Sequence, residues 1–137
     1  MKVFGKEDMA TRRLPLKTQA FRRLNEMGVP VKTVIDVGVL SNTAQRMKAY
    51  PDRLHVLIEP IEEFGPRIRK TYDKAGISYD LVFAAMAAED GEVVMQTKSV
   101  REGTDITHSR IVDTHGKGPD FRRVKAQTVA SLVAERE

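Results

Sequence analysis

Two carboxylates, Asp36 and Glu59, stand 23 positions apart, and each closes a short apolar run. Val34-Ile35 leads into Asp36, with Val37 and Gly38 behind it; His55-Val56-Leu57-Ile58 leads into Glu59-Pro60. A carboxylate at the end of a strand can accept hydrogen bonds from both hydroxyls of a ribose, or face a cation. A glycine beside it lets backbone pass close to a ligand where a Cβ would collide. Two such acids on one sheet edge would make a site for a positively charged, ribose-bearing ligand.

The elements that must position them can be read from periodicity. Val31 to Val37 reads as a first strand, and its β-branched run suits a centre strand buried on both faces. A short helix over Thr43 to Tyr50 leads to a second strand, His55 to Ile58. Ile61, Phe64, Ile68 and Tyr72 then give a helical stripe, with Pro66 near its start and Gly76 at its stop. Tyr79 to Ala85 reads as a third strand, Glu89-Asp90-Gly91 as a turn, and Glu92 to Thr97 as the strand returning from it. Arg122 to Ala126 and Thr128 to Glu135 read as a last strand and helix. This order is an α/β arrangement around a parallel, Rossmann-like sheet with flanking helices. Ligands of such sheets bind at the carboxyl ends of the strands. Asp36, Gly38, Glu59 and Ala85 would then share one rim. Residues 1–15 read as an N-terminal arm and 16–137 as the domain, interrupted by an irregular loop over 98–120 where periodicity is lost.

Which ribosyl ligand fits is decided by the first loop. A dinucleotide pyrophosphate needs G-x-G-x-x-G, whereas this loop reads Gly38-Val39-Leu40-Ser41-Asn42-Thr43 and lacks two of the three glycines. S-adenosylmethionine carries no phosphate. Its ammonium favours an acid at the first strand, which Asp36 supplies, and its carboxylate can use the helix start after Asn42.

At this point the residues resemble a family. Val34-Ile35-Asp36-Val37-Gly38, Leu57-Ile58-Glu59-Pro60, and Ala84-Ala85-Met86 with Asp90-Gly91-Glu92-Val93 are similar to the opening motifs of FkbM-type methyltransferases. Thr128-Val129-Ala130-Ser131-Leu132 is similar to the segment leading into that family's fourth core strand. The resemblance implies S-adenosylmethionine as cofactor and methyl transfer to a hydroxyl oxygen of a small molecule or sugar. It also implies that Asp36 and Gly38 line the methionyl part, Glu59 the ribose, and Ala84 to Met86 the adenine. Val39, Asn42 and Pro60 adjoin these positions and are counted with the cofactor-binding residues. Asn42 stands where the family usually has glycine, Ala88 where it commonly has an acid, and Ala130 where the T-L-D segment has one. Such enzymes continue with a D-x-x-G-x-E strand motif, so the chain reads as the cofactor-binding part of an incomplete methyltransferase fold. Its open sheet edge would be covered by a partner or a second copy. A binding module without catalysis, acting through a partner, is the alternative; a dinucleotide-binding domain comes third.

Composition narrows the remaining classes. A net charge of +4 and 6% aromatics give a nucleic-acid partner little to hold. Without cysteine there is no disulfide framework, thiolate metal site or thiol nucleophile. No apolar run approaches membrane-spanning length and no signal core opens the chain. The expectation is therefore a cytoplasmic protein with a small-molecule acceptor and neither nucleic acid nor membrane as partner. Arg12, Arg13, Lys17, Arg22 and Arg23 read as a solvated face. His55 heads the second strand and reads as a surface or partly buried residue. His108 and His115, near Asp105 and Asp113, read as solvent-facing and without a metal, since a third fixed ligand is wanting. No residue is assigned as catalytic base.

Overall fold

A computed structural model describes residues 15–40, 43–99, 106–112 and 118–137. Along the chain run α1 (Leu16–Glu26), β1 (Thr33–Val37), α2 (Ala44–Ala49), β2 (Leu54–Ile58), a short turn of 3-10 helix (Glu62–Phe64), α3 (Gly65–Ala75) and β3 (Tyr79–Val82). They are followed by β4 (Ala85–Met86), β5 (Gly91–Ser99), β6 (Ile106–Val112), β7 (Phe121–Gln127) and α4 (Val129–Ala134). The fold is mixed α/β. β1, β2 and β3 form a parallel sheet in that order, and β4-β7-β5-β6 form a second sheet in which only β4 and β7 run parallel.

The expected apolar stripe does the packing. Ile61, Phe64, Ile68 and Tyr72 are buried with Val39, Leu57 and Ile77 on one face of the parallel sheet. On the other face Val56 and Ile58 receive Leu132, the one buried side chain of α4. The Thr128 hydroxyl caps α4 by accepting from the Ser131 N–H at 3.1 Å. Asp90 in turn accepts from the Thr128 N–H at 2.7 Å and from the Ser131 hydroxyl, which ties the β4–β5 turn to the helix start. At the far end Arg136 donates to Asp80 Oδ2 at 2.6 and 2.9 Å, fixing α4 to β3.

Three expectations are corrected. β1 is not a centre strand buried on both faces. It is the edge of the parallel sheet, with Val34 and Asp36 buried while Ile35 (38% exposed) and Val37 (55%) are open, because no described strand pairs with its outer side and α4 packs over β2 and β3 instead. The third strand does not run through to Ala85. It stops at Val82, and Ala85-Met86 leave it to pair with Ala126-Gln127 of β7. The segment 98–120 is not wholly irregular either, since β6 lies within it, pairing antiparallel with β5 from Val94↔Val112 to Ser99↔Ile106.

The crossing between the two sheets is tight at one glycine. A Cβ on Gly65 would lie 2.8 Å from Cζ of Phe83, the residue that follows β3. Gly65→Ala should therefore force the Phe83 ring to move and cost about 1–3 kcal/mol, as overpacking does. Urea denaturation would check it, and a midpoint within error of the parent's would refute the close packing.

Candidate functional site

β1 and β2 run parallel, so both end at the same rim of the sheet, and a hollow of about 360 Å³ opens there. That volume lies at the lower end of the range for small-ligand sites. Gly38 and Val37 line it from β1, Glu59 and Pro60 from the end of β2, and Ala84, Ala85 and Met86 from the chain crossing to the second sheet. Phe64, Ile61 and Leu40 close one side; Met95, Ser109 and Ile111 of the β5–β6 hairpin close the other. Apart from Glu59 and the Ser109 hydroxyl, the side chains that face it are apolar. Arg110 belongs to the lining only through its place in β6. Its Nε donates to Gln96 Oε1 at 3.0 Å, and the alternation of the paired strands sets both on the face opposite Met95 and Ile111.

Glu59 is the centre of this geometry. Its Oε2 accepts from the Leu40 N–H at 2.9 Å and its Oε1 from the Ile61 N–H at 3.0 Å, so one carboxylate clamps the loop after β1 to the turn after β2. Each oxygen keeps a further lone pair for a ligand donor. Burial pushes the Glu59 carboxyl above its ordinary 4.5, and the two backbone donors pull part of the way back. The loop it holds is strained at one position. Leu40 adopts φ 59°, a left-handed conformation rare for a branched side chain, two residues beyond Gly38 at φ 75°.

Asp36 does not converge on the hollow. Side chains alternate along β1, so with Val37 in the lining Asp36 is turned to the opposite face. There its Oδ1 accepts from Arg46 Nη1 at 2.6 Å, while Oδ2 has no partner. The neighbouring Tyr72 hydroxyl is also buried, and its pKa is pushed up to about 12, first by burial and then by the Asp36 charge, with the Thr43 backbone pulling part of the way back. The pair anchors α2, which at six residues is too short to hold itself.

Of the sequence-derived positions, Gly38, Glu59, Pro60, Ala85 and Met86 come together around the hollow. Asp36 and Val39 do not, and Val39 is buried in the core against Leu57 and Ile61. Asn42 lies outside the described residues, as do His115, Asp105, Asp113 and the side chain of His108. His55, expected at the surface or partly buried, is instead fully buried, with Nε2 2.8 Å from the Tyr50 carbonyl and its ring edge-on to Tyr72, because its side chain lies on the same face of β2 as Leu57, under α3. Among the described residues no group of three His, Cys, Asp or Glu could hold a metal ion. Sequence reasoning missed Ser109, Ile111 and Phe64 as lining residues. The first two lie in the stretch without periodicity, while Phe64 was legible only as part of the core stripe. No helix among the described residues is long and apolar enough to cross a membrane. Searches of protein-family models, curated proteins and solved structures find no match to the chain.

Proposed function

We propose that the hollow binds an adenosyl ligand and that the chain serves an S-adenosylmethionine-dependent methyltransferase activity of FkbM type, directed at a hydroxyl oxygen. The observation that carries this reading is the meeting of three separate motifs. Gly38 after β1, Glu59-Pro60 after β2 and Ala84-Ala85-Met86 at the crossing line one hollow at the carboxyl rim of a parallel sheet.

The residues present fit the nucleoside half of the ligand. Glu59 has acceptor capacity for the two ribose hydroxyls, and Ala85, Met86 and Met95 offer an apolar wall to a purine. Gly38 leaves the floor free of a side chain where the ligand must approach backbone. They do not fit the amino-acid half in the way the first strand suggested, because the Asp36 charge is already matched by Arg46. When bound, S-adenosylmethionine would supply a methyl group on a sulfonium for in-line transfer to an acceptor oxygen. The chain's own part is alignment of that methyl and exclusion of water by the Met and Phe64 walls.

A second reading is favoured by the chemistry of the lining. Glu59 is the one titratable side chain among the described residues that faces the hollow, and it already serves two amides. An adenosyl-binding module that acts through a partner would need no more. The outer edge of β1, which pairs with no strand among the described residues, gives such a partner a place to add a strand.

Titration calorimetry with S-adenosylhomocysteine, S-adenosylmethionine and NAD tests the proposal. Binding of the first two at micromolar affinity, with NAD much weaker, is the expected outcome. Binding of NAD alone would move the assignment to a dinucleotide site, and binding of none of the three would refute an adenosyl site. Methyl transfer to a hydroxylated acceptor would then separate enzyme from module.

A further inference from the structure

The net charge of the chain is unevenly placed. Residues 1–27 hold seven Lys and Arg against three Asp and Glu, whereas residues 28–137 hold sixteen of each. The whole +4 excess therefore lies in the N-terminal fifth, which includes α1.

The faces of α1 are arranged unlike those of the other long helix. None of its residues is buried. It leans on the body through Phe21, whose ring meets Tyr50 edge-on at 5.8 Å, and through Asn25, whose Nδ2 donates to the Ala49 carbonyl at 3.5 Å. At about 100° per residue, Leu16, Ala20, Leu24 and Met27 fall within an arc of roughly 80°. That arc faces away from Asn25, and Leu16 is 83% and Met27 66% exposed. Lys17 flanks the arc on one side and Arg23 on the other, both exposed and neither ion-paired among the described residues. An apolar stripe between two cationic margins is thus presented to solvent.

We propose that α1 docks the protein on an anionic membrane surface, its apolar stripe entering the headgroup boundary and Lys17 and Arg23 meeting lipid phosphates. An interfacial helix is recognised by an apolar face bordered by cations at low net hydrophobicity. Nucleic acid would engage the cations but give Leu16, Leu24 and Met27 no apolar surface to enter. A second copy pairing stripe to stripe would set the cationic margins of one helix against those of the other, whichever way the helices ran. An anionic lipid surface satisfies both the stripe and its margins.

Co-sedimentation of the full chain with vesicles tests this. Vesicles of phosphatidylcholine alone should leave the protein in solution, and vesicles with one third phosphatidylglycerol should bring it down at low salt, with binding weakened by 0.5 M NaCl. The L16S/M27S and K17E/R23E variants should each lower binding to the anionic vesicles by tenfold or more. Both pairs are solvent-exposed, so unchanged circular dichroism is expected and identifies any variant that misfolds. No sedimentation with anionic vesicles would overturn the proposal. So would binding indifferent to both double substitutions, or binding to a labelled oligonucleotide that survives L16S/M27S.

Discussion

Glu59→Ala should weaken binding of S-adenosylhomocysteine by about 10- to 100-fold. The ribose hydroxyls would lose a charged acceptor worth roughly 1–3 kcal/mol, and each 1.4 kcal/mol is a factor of ten. The effect should exceed that of an ordinary contact residue because the same carboxylate shapes the site. Without it the Leu40 N–H loses its acceptor in a loop already held at positive φ, and the Ile61 N–H loses its own. Glu59→Gln separates the two contributions. The amide oxygen can still accept from one backbone N–H, but its NH2 faces the other, so an intermediate loss is expected. The pH dependence has a definite sign. A carboxyl raised by burial binds its proton more readily in the folded chain than in the unfolded one. Its contribution to stability is therefore fully present below 4.5 and is lost as pH rises through the folded value. Ligand hydroxyls donate to the charged form, so affinity should rise over the same interval. Calorimetry at pH 4 and pH 7 checks this: the parent should bind more tightly at pH 7, and Glu59→Gln should show no such difference. Equal affinity of the parent at both values would remove the Glu59 carboxylate from ligand contact.

Much of the frame was legible because local patterns and tertiary packing agree. The Phe64, Ile68 and Tyr72 stripe, the stop at Gly76 and the turn at Asp90-Gly91 each carry a local signal that the packed structure keeps. The Glu59 position was legible for the same reason, since an acid just beyond an apolar strand has to stand at the rim. Parity was lost at β1. A run of β-branched residues hides which side each residue takes, and only the pairing of β1 with β2 fixes Val37 toward the hollow and Asp36 away from it. β6 was invisible for another reason. Ile-Thr-His-Ser-Arg-Ile-Val mixes polar and apolar residues on both faces of an edge strand, and what makes it a strand is its ladder with β5 rather than any period of its own.

The second large effect is an asymmetry within the Asp36–Arg46 pair. Arg46→Ala should destabilise the chain by about 3–5 kcal/mol, because it strands a buried carboxylate without its cation. The Asp36 side chain is 2% exposed against 28% for Arg46, and its Oδ2 already has no partner. Asp36→Asn should cost only about 1 kcal/mol, since the released guanidinium can turn to water and the amide keeps the shape of the acid. Removing both charges, as in Asp36→Asn with Arg46→Met, should recover most of the loss caused by Arg46→Ala, because no buried ion is left unpaired. Urea denaturation of the four chains measures all three terms. Equal costs for the two single substitutions, or no recovery in the double one, would mean that burial of the carboxylate is not what makes the pair matter. The consequence for the site is indirect. Arg46 draws the six-residue α2 against β1, and the chain between them carries Gly38 and Leu40, whose N–H Glu59 holds. Asp36 thus acts on the hollow from behind the sheet, as a positioning residue. That gives an acid at the end of a first strand a role distinct from ligand contact, which its place in the sequence alone does not distinguish.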